Sequence, residues 1–313
     1  MNTLAVVLEA PLRLALTEVT LTAAGDDDVV VDIEWSGIST GTERLLWSGR
    51  MPPFPGMGYP LVPGYESVGR VRTAGAASGR SVGERVFVPG ARCFGEVRGL
   101  FGGAAARVVV PGARVVPLDA GLEEAGVLLA LAATAHHAIQ KGGGRPIDLV
   151  VGHGVLGRLV ARTAMALGQP APMVWEHQAD RTTGALGYDV LAPDADPRRD
   201  YRCIVDVSGD ALALDGLIQR LAPGGRIVLA GFYAEPVSFA FPPAFMREAE
   251  LVIAAEWQMP DLVAVKALIE QGQLHLDGLI THRRPARAAA EAYATAFGDP
   301  DCLKMVLDWR QCS

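Results

Sequence analysis

The chain has 313 residues, is half apolar and carries a net charge of −7. That length holds two domains of ordinary size, and the acidic balance excludes a nucleic-acid partner, which needs a basic face. No apolar run reaches the ~18–20 residues of a membrane span.

In chain order, residues 1–7 read as a first strand, without the basic start of a signal peptide. A soluble, cytoplasmic protein is therefore expected. Strands follow at 29–35, 67–71, 85–88 and 106–110, broken by glycine and proline. Residues 51–65 form a loop with five prolines that also carries Phe54, Met57 and Tyr59. A helical pattern covers 122–139. From 147 to about 255 strands (146–151, 173–176, 204–209, 226–233, 251–255) alternate with helices (158–168, 211–221), which predicts a doubly wound parallel sheet. Helices at 261–271 and 287–296 and a short strand at 304–307 close the chain. The fold class is α/β, with a β-rich first part. Cys93, Cys203, Cys302 and Cys312 include no C-x-x-C pair and read as reduced structural thiols, with no zinc cluster among them.

The most informative string is Leu149-Val150-Val151-Gly152-His153-Gly154-Val155-Leu156-Gly157, followed by Glu176. An apolar strand runs into G-x-G-x-x-G, a helix follows, and an acid stands 24 residues after Gly152. Gly152 permits the tight turn, Gly154 lets a pyrophosphate approach the backbone, and Gly157 lets helix and strand pack closely. The first helical residues, Val155 and Leu156, offer free N–H groups at the positive end of the helix dipole. Glu176 would accept hydrogen bonds from the adenosine ribose and repel a 2′-phosphate, so the cofactor expected is NAD. His153 fills an unspecified position and reads as loop filler.

The layout resembles the medium-chain dehydrogenase/reductase family over nearly the whole chain. The markers are Gly37-Ile38-Ser39-Thr40-Gly41-Thr42-Glu43, Pro63-Gly64-Tyr65-Glu66, Gly83-Glu84-Arg85-Val86, Thr134-Ala135-His136-His137-Ala138, the glycine fingerprint, Pro223-Gly224-Gly225 and Leu279-Ile280-Thr281-His282. The resemblance implies a GroES-like catalytic domain at 1–130 and 256–313 and a Rossmann NAD-binding domain at 131–255. It implies nicotinamide contact by Thr134, adenosine contacts by Arg181 and Ser208, and a carboxamide contact at Phe232. Arg181 could also tolerate a 2′-phosphate. Asp206 reads as support for its turn. The family's dimers pair the last strand of each nucleotide domain, which implies a homodimer through 251–255.

The departures from the family carry the mechanism. Its zinc-dependent members hold the metal at positions that here are Ser39 or Thr40, Tyr65, and a place near Ala130. A hydroxyl, a phenol and a methyl do not make a zinc site, and the family's four-cysteine lobe is missing, so no metal is expected. Without a Lewis acid, a side chain must accept or relay the alcohol proton. Tyr65 is the first candidate; acting as a base, it would need a cationic neighbour such as the nicotinamide ring of NAD⁺. Ser39 and Thr42 are hydroxyl relays. The next relay place is occupied by Leu45 and Leu46, so the usual relay is broken. Glu66 and Glu43 either orient the loops or take part directly. His136 is an outside candidate for the base, with packing favoured for it and His137.

The strings 36–49 and 52–66 further resemble a zinc-free branch of the family that oxidises a secondary alcohol on a bacteriochlorin pigment with NAD. A broad, flat chlorin substrate calls for a wide apolar pocket. Trp47, Met51, Phe54, Met57 and Tyr59 are its expected walls, with Arg44 or Arg50 for a propionate. Two other functions stay open at this stage: a zinc-free quinone or enone reductase using NADPH, and a non-enzymatic carrier of NAD or pigment.

Overall fold

The computed structural model describes residues 1–312. The chain divides into two compact units, residues 1–130 with 279–313, and residues 131–278.

In the first unit, a four-stranded sheet joins Arg13–Thr20, Asn2–Ala10, Leu61–Val62 and Arg98–Gly99. A larger sheet is built on the long strand Asp28–Ile38. Ser67–Ala74 pairs with it antiparallel, with Ser36 opposite Ser67. Met305–Asp308, from the chain's end, pairs on the other side with Met305 opposite Ile38. These two registers bring Glu66 and Lys304 to the same end of Asp28–Ile38. The strand buries Val29, Val30, Val31 and Ile33 in a core shared with Val6, Val86, Val108 and Trp309. The strand Arg13–Thr20 and the seven-residue helix Thr42–Ser48 lack a sequence signal. The helix follows the Ser39-Thr40-Gly41 turn and buries Glu43 and Leu46. A polar residue facing inward hides the apolar period of so short a helix.

In the second unit, six parallel strands run in the order Val190–Leu191, Met173–Trp175, Leu149–Val151, Tyr201–Asp206, Leu221–Leu229, Glu250–Ile253. Numbered along the chain this is 3-2-1-4-5-6, the doubly wound order that binds dinucleotides at its switch point. The continuous apolar runs fit a sheet covered on both faces. Where a long pattern was expected at 122–139, the structure has a 3-10 segment at Ala120–Leu128, broken at Glu123 (φ 39°), and then the α-helix Leu129–Lys141.

The second unit ends at 278 and not at 255. Two contacts hold the extra stretch. Asp261, in the helix Met259–Glu270, bonds His136 and His137 at 2.7 and 2.9 Å. Arg162, in the fingerprint helix Val155–Ala166, donates to the carbonyls of His275 and Asp277. Both contacts are polar and far apart in sequence, so strand and helix periodicity could not report them.

Candidate active site

In the second unit the fingerprint has the geometry its glycines imply. Gly152 sits at φ +102°, where side chains are strained. A Cβ on Gly157 would lie 1.8 Å from the Gly152 carbonyl oxygen, so the helix packs on the strand only through glycine. A Cβ on Gly154 would meet nothing within 4 Å, leaving a clear approach for a phosphate. Gly154 caps the helix without a side chain, and the N–H groups of Val155 and Leu156 in the first turn have no partner within the helix. Glu176 stands at the carboxyl end of Met173–Trp175, half-buried. Its Oε2 accepts from the His153 N–H (3.1 Å) and its Oε1 from the Gln178 N–H (2.9 Å). The carboxylate is thus fixed beside the glycine turn. These residues fit a nicotinamide dinucleotide.

His153 is not loop filler. It is fully buried; Nδ1 lies 2.6 Å from the Arg181 carbonyl and Nε2 2.9 Å from the Tyr188 hydroxyl. A carbonyl can only accept, so Nδ1 carries the proton and Tyr188 donates to Nε2. Burial, with the Arg158 charge adding, lowers its pKa to about 4. Arg158, next after Gly157, donates to the carbonyls of His153, Gly184 and Thr183 at 3.0, 3.1 and 2.8 Å, and more weakly to that of Arg181. His153 and Arg158 together hold the loop 181–188 that follows Glu176, and Arg181 lies at its start.

Ser208 donates its hydroxyl to Asp206 Oδ1 (2.7 Å) and accepts from the Asp210 N–H. Tyr233 donates to the other Asp206 oxygen (2.8 Å). Asp206 therefore braces this turn, as its sequence position suggests. Phe232 is exposed, and Thr134 is half-buried on Leu129–Lys141. His136 and His137 are pinned by Asp261, which takes up the Nδ1 atom of each ring.

In the first unit the expected catalytic residues form one cluster. Ser39 Oγ lies 2.8 Å from the Tyr65 hydroxyl, and Thr42 also hydrogen-bonds Tyr65. Phe101 packs edge-on against the Tyr65 ring at 5.5 Å. Burial and the Glu66 and Glu43 charges push the phenol up, so it stays a neutral donor and acceptor.

Behind Tyr65, Glu66 is fully buried. Its Oε2 accepts from Lys304 Nζ at 2.6 Å, and Lys304 also donates to the Ile38 carbonyl (3.2 Å). Glu66 Oε1 has no partner. A Cβ on Gly37 would come within 2.2 Å of Glu66 Oε2, so glycine there makes room for the pair. Glu43, also fully buried, accepts from the Ser39 N–H (3.0 Å) and from the Tyr293 hydroxyl (2.6 Å). Burial raises it to about 7, with the Glu66 charge adding. Ser39, Tyr65 and two carboxylates already held by Lys304 and Tyr293 do not fit a zinc ion. Among the described residues, no three His, Cys, Asp or Glu come together as a metal-binding group.

Neither Lys304 nor Tyr293 was singled out by its sequence. The lysine had a signal: it interrupts the apolar run Cys302-Leu303-Lys304-Met305-Val306-Leu307. A charge inside a buried strand requires a buried partner.

The expected substrate walls lie together. Trp47, Phe54, Met57 and Tyr59 are partly buried against Leu8, Leu46, Met51, Leu61 and Leu100. Trp47 also tilts against Phe297 at 5.5 Å, and the Tyr59 hydroxyl donates to the Leu46 carbonyl. These side chains pack the proline-rich loop onto its unit and keep part of their surface in solvent. Leu46 is at the centre of this cluster, so the broken relay position serves as core. Arg44 and Arg50 are exposed.

Comparison with known proteins agrees with this geometry. Residues 25–120 match the alcohol dehydrogenase GroES-like domain. The chain is 59% identical over 311 residues to the 2-desacetyl-2-hydroxyethyl bacteriochlorophyllide A dehydrogenase of Rhodobacter capsulatus, covering 99% of each chain. It is 58% identical, with the same coverage, to the protein of that name from Cereibacter sphaeroides. An Escherichia coli alcohol dehydrogenase complexed with NADH superposes with a TM-score of 0.84 at 20% identity, over 98% of this chain and 99% of that one.

Proposed function

From the premise that the chain belongs to the medium-chain dehydrogenase/reductase family, among its bacteriochlorophyllide a dehydrogenases, we infer that it oxidises the ring hydroxyethyl group of a bacteriochlorophyllide to an acetyl group with NAD. The observation that carries this is full-length identity of 59% together with an intact fingerprint ending in a fixed Glu176. The chain is an alcohol dehydrogenase with a GroES-like domain and a Rossmann unit, and it uses a nicotinamide cofactor.

When bound, NAD supplies the hydride acceptor. Gly154 and the first turn of Val155–Ala166 receive the pyrophosphate, and Glu176 receives the ribose hydroxyls. A 2′-phosphate would stand against a carboxylate that its two backbone donors keep from swinging away, which favours NAD over NADP. Arg181, Ser208, Thr134 and Phe232 complete the cofactor contacts on this reading.

The alcohol proton leaves without zinc. Tyr65, with Ser39 and Thr42 on its hydroxyl, holds the substrate oxygen and passes the proton on. Glu66 is a positioning residue: tied to Lys304, it fixes the Pro63-Gly64-Tyr65 turn. Trp47, Phe54, Met57 and Tyr59 offer an apolar face to the macrocycle.

Oxidation puts a carbonyl in conjugation with the ring, so the long-wavelength absorption band should move to the red. A shift that requires NAD⁺ and survives a chelator supports both the reaction and its zinc independence. An unchanged spectrum, with NAD⁺ binding shown separately, refutes the reading and points to a quinone or enone reductase.

The protein is further proposed to be a homodimer. The edge strand Glu250–Ile253 exposes Ile253, and the helix Phe241–Met246 beside it exposes Phe241, Phe245 and Met246. An apolar sheet edge invites pairing with a second copy. A monomer by light scattering at micromolar concentration would overturn this. Among the described residues no helix is long and apolar enough to cross a membrane.

A further inference from the structure

The proline-rich loop that carries Phe54, Met57 and Tyr59 is held along one side by Arg98. The Arg98 N–H donates to the Pro60 carbonyl (3.2 Å), and its Nη1 donates to the Tyr59 carbonyl (3.2 Å). A Cβ on Gly58 would lie 3.1 Å from Arg98 Cζ and Nε, so the guanidinium lies close over the loop backbone only because residue 58 is glycine. The residue stays exposed. Among the described residues its side chain meets no carboxylate, and its one hydrogen bond goes to a neutral carbonyl. A guanidinium has five N–H donors in a planar fork, and the fork matches a carboxylate. The surroundings set this cation apart. Two residues on, Leu100 packs with Trp47, Phe54, Met57 and Tyr59. Three residues on, Phe101 lies edge-on against the Tyr65 ring. Three residues of chain span at most about 10 Å. A fixed cation, an apolar face and the Tyr65 cluster thus stand within the breadth of one macrocycle and its side arm. Arg44, exposed on the helix Thr42–Ser48, has no side-chain hydrogen bond among the described residues to hold it in place.

Resting on the bacteriochlorophyllide reading, we propose that Arg98 is a specificity-determining residue of the substrate site: it receives the free carboxylate of the pigment's propionate arm while the hydroxyethyl group reaches Tyr65. The macrocycle lies against Trp47, Phe54, Met57 and Tyr59 between these two ends. Arg98 selects pigments whose carboxyl is unesterified. A carboxylate offers the fork two charged acceptors in one plane, whereas an ester carries no charge and places its alkyl group against the guanidinium. Gly58 and the Tyr59 carbonyl fix the guanidinium beforehand, so little side-chain freedom is lost on binding.

The test compares two substrates of the full-length protein with NAD⁺: the free hydroxyethyl bacteriochlorophyllide and its methyl ester, in the same detergent. In wild type kcat/KM should be about tenfold higher for the acid, the scale of a hydrogen bond to a charged group. The difference should sit in KM, because the carboxylate is remote from the reacting atoms and is held alike before and during the reaction. Added salt should shrink it by screening the pair. Arg98→Gln should erase the preference by raising KM for the acid, and Arg98→Lys should keep part of it. A side chain that only held the loop would, once changed, raise KM for acid and ester alike. A wild type without preference for the acid overturns the proposal. So does a preference that survives in Arg98→Gln, or one lost in Arg44→Gln instead. Equal turnover of acid and ester leaves the alcohol oxidation standing. Turnover of neither, with NAD⁺ binding shown separately, refutes the function and this role with it.

Discussion

Lys304→Met tests how the first unit is tied together. Lys304 comes from the chain's end, 238 residues from Glu66 in sequence, and both side chains are shut off from solvent. Methionine matches the lysine stem in length but leaves Glu66 as a buried carboxylate with neither oxygen partnered, since Oε1 already has none. Removing one partner of such a pair costs about 3–5 kcal/mol. At about 2–4 °C per kcal/mol for a unit of this size, the first unit should melt roughly 6–20 °C lower at pH 8.

The loss should shrink in acid. Burial raises Glu66 above its unfolded value of 4.5, and without Lys304 it rises further. Between the unfolded and folded values the native state binds more protons, so stability falls as pH rises through that window and recovers as pH falls. The double variant Lys304→Met/Glu66→Leu removes both charges and should return to within about 1 kcal/mol of wild type. Calorimetry at pH 5.5 and 8 checks all three. A single variant that melts within a degree or two of wild type, or a double variant that merely sums the two single losses, would refute the reasoning.

Three further outcomes follow from the second unit. Gly157→Ala puts a Cβ 1.8 Å from the Gly152 carbonyl; about 1–3 kcal/mol of overpacking at the turn should weaken NAD binding by roughly 5–150-fold, read by titration calorimetry. Glu176→Gln keeps an acceptor at the ribose but removes the charge, so the preference for NAD⁺ over NADP⁺ in Kd should fall by about tenfold or more; an unchanged ratio would show that Arg181 or another group sets it. His153 is held at about 4 against 6.5 unfolded, which leaves stability unaffected at pH 7.5 but removes about 3 kcal/mol as pH falls from 6.5 to 4. His153→Gln should therefore flatten the acid limb of the second unit's melting curve, and a limb as steep as wild type would count against a buried neutral imidazole.

The nucleotide unit was legible because its signals are local. The apolar run Leu149-Val150-Val151 marks the strand. The decisive residues beside it are Gly152, Gly154, Gly157 and Glu176, each fixed by one turn and the strand next to it. The strands 67–71 and 85–88 are likewise legible as short β-rich runs bounded by glycine and proline. The cluster around Tyr65 was only half legible: Ser39, Thr42, Tyr65 and Glu66 could be picked out, but what each one touches could not. That the charges of Glu66 and Glu43 both act on the Tyr65 phenol is a product of the fold, with no mark in the sequence around Tyr65. His153 passed for filler because its partners, the Arg181 carbonyl and Tyr188, are 28 and 35 residues away.

The sequence by itself determined the α/β class, the order of strands and helices around the fingerprint, and the glycine turn with its acid that fit a dinucleotide. Those follow from backbone conformation and periodicity over a few residues. The tertiary structure alone decided the partners of the buried charges: Lys304 with Glu66, Tyr293 with Glu43, Asp261 with two histidines, and Arg158 with a ring of carbonyls. Strand register and chain return set these pairs, and a buried charge takes whichever partner the fold delivers within hydrogen-bond reach.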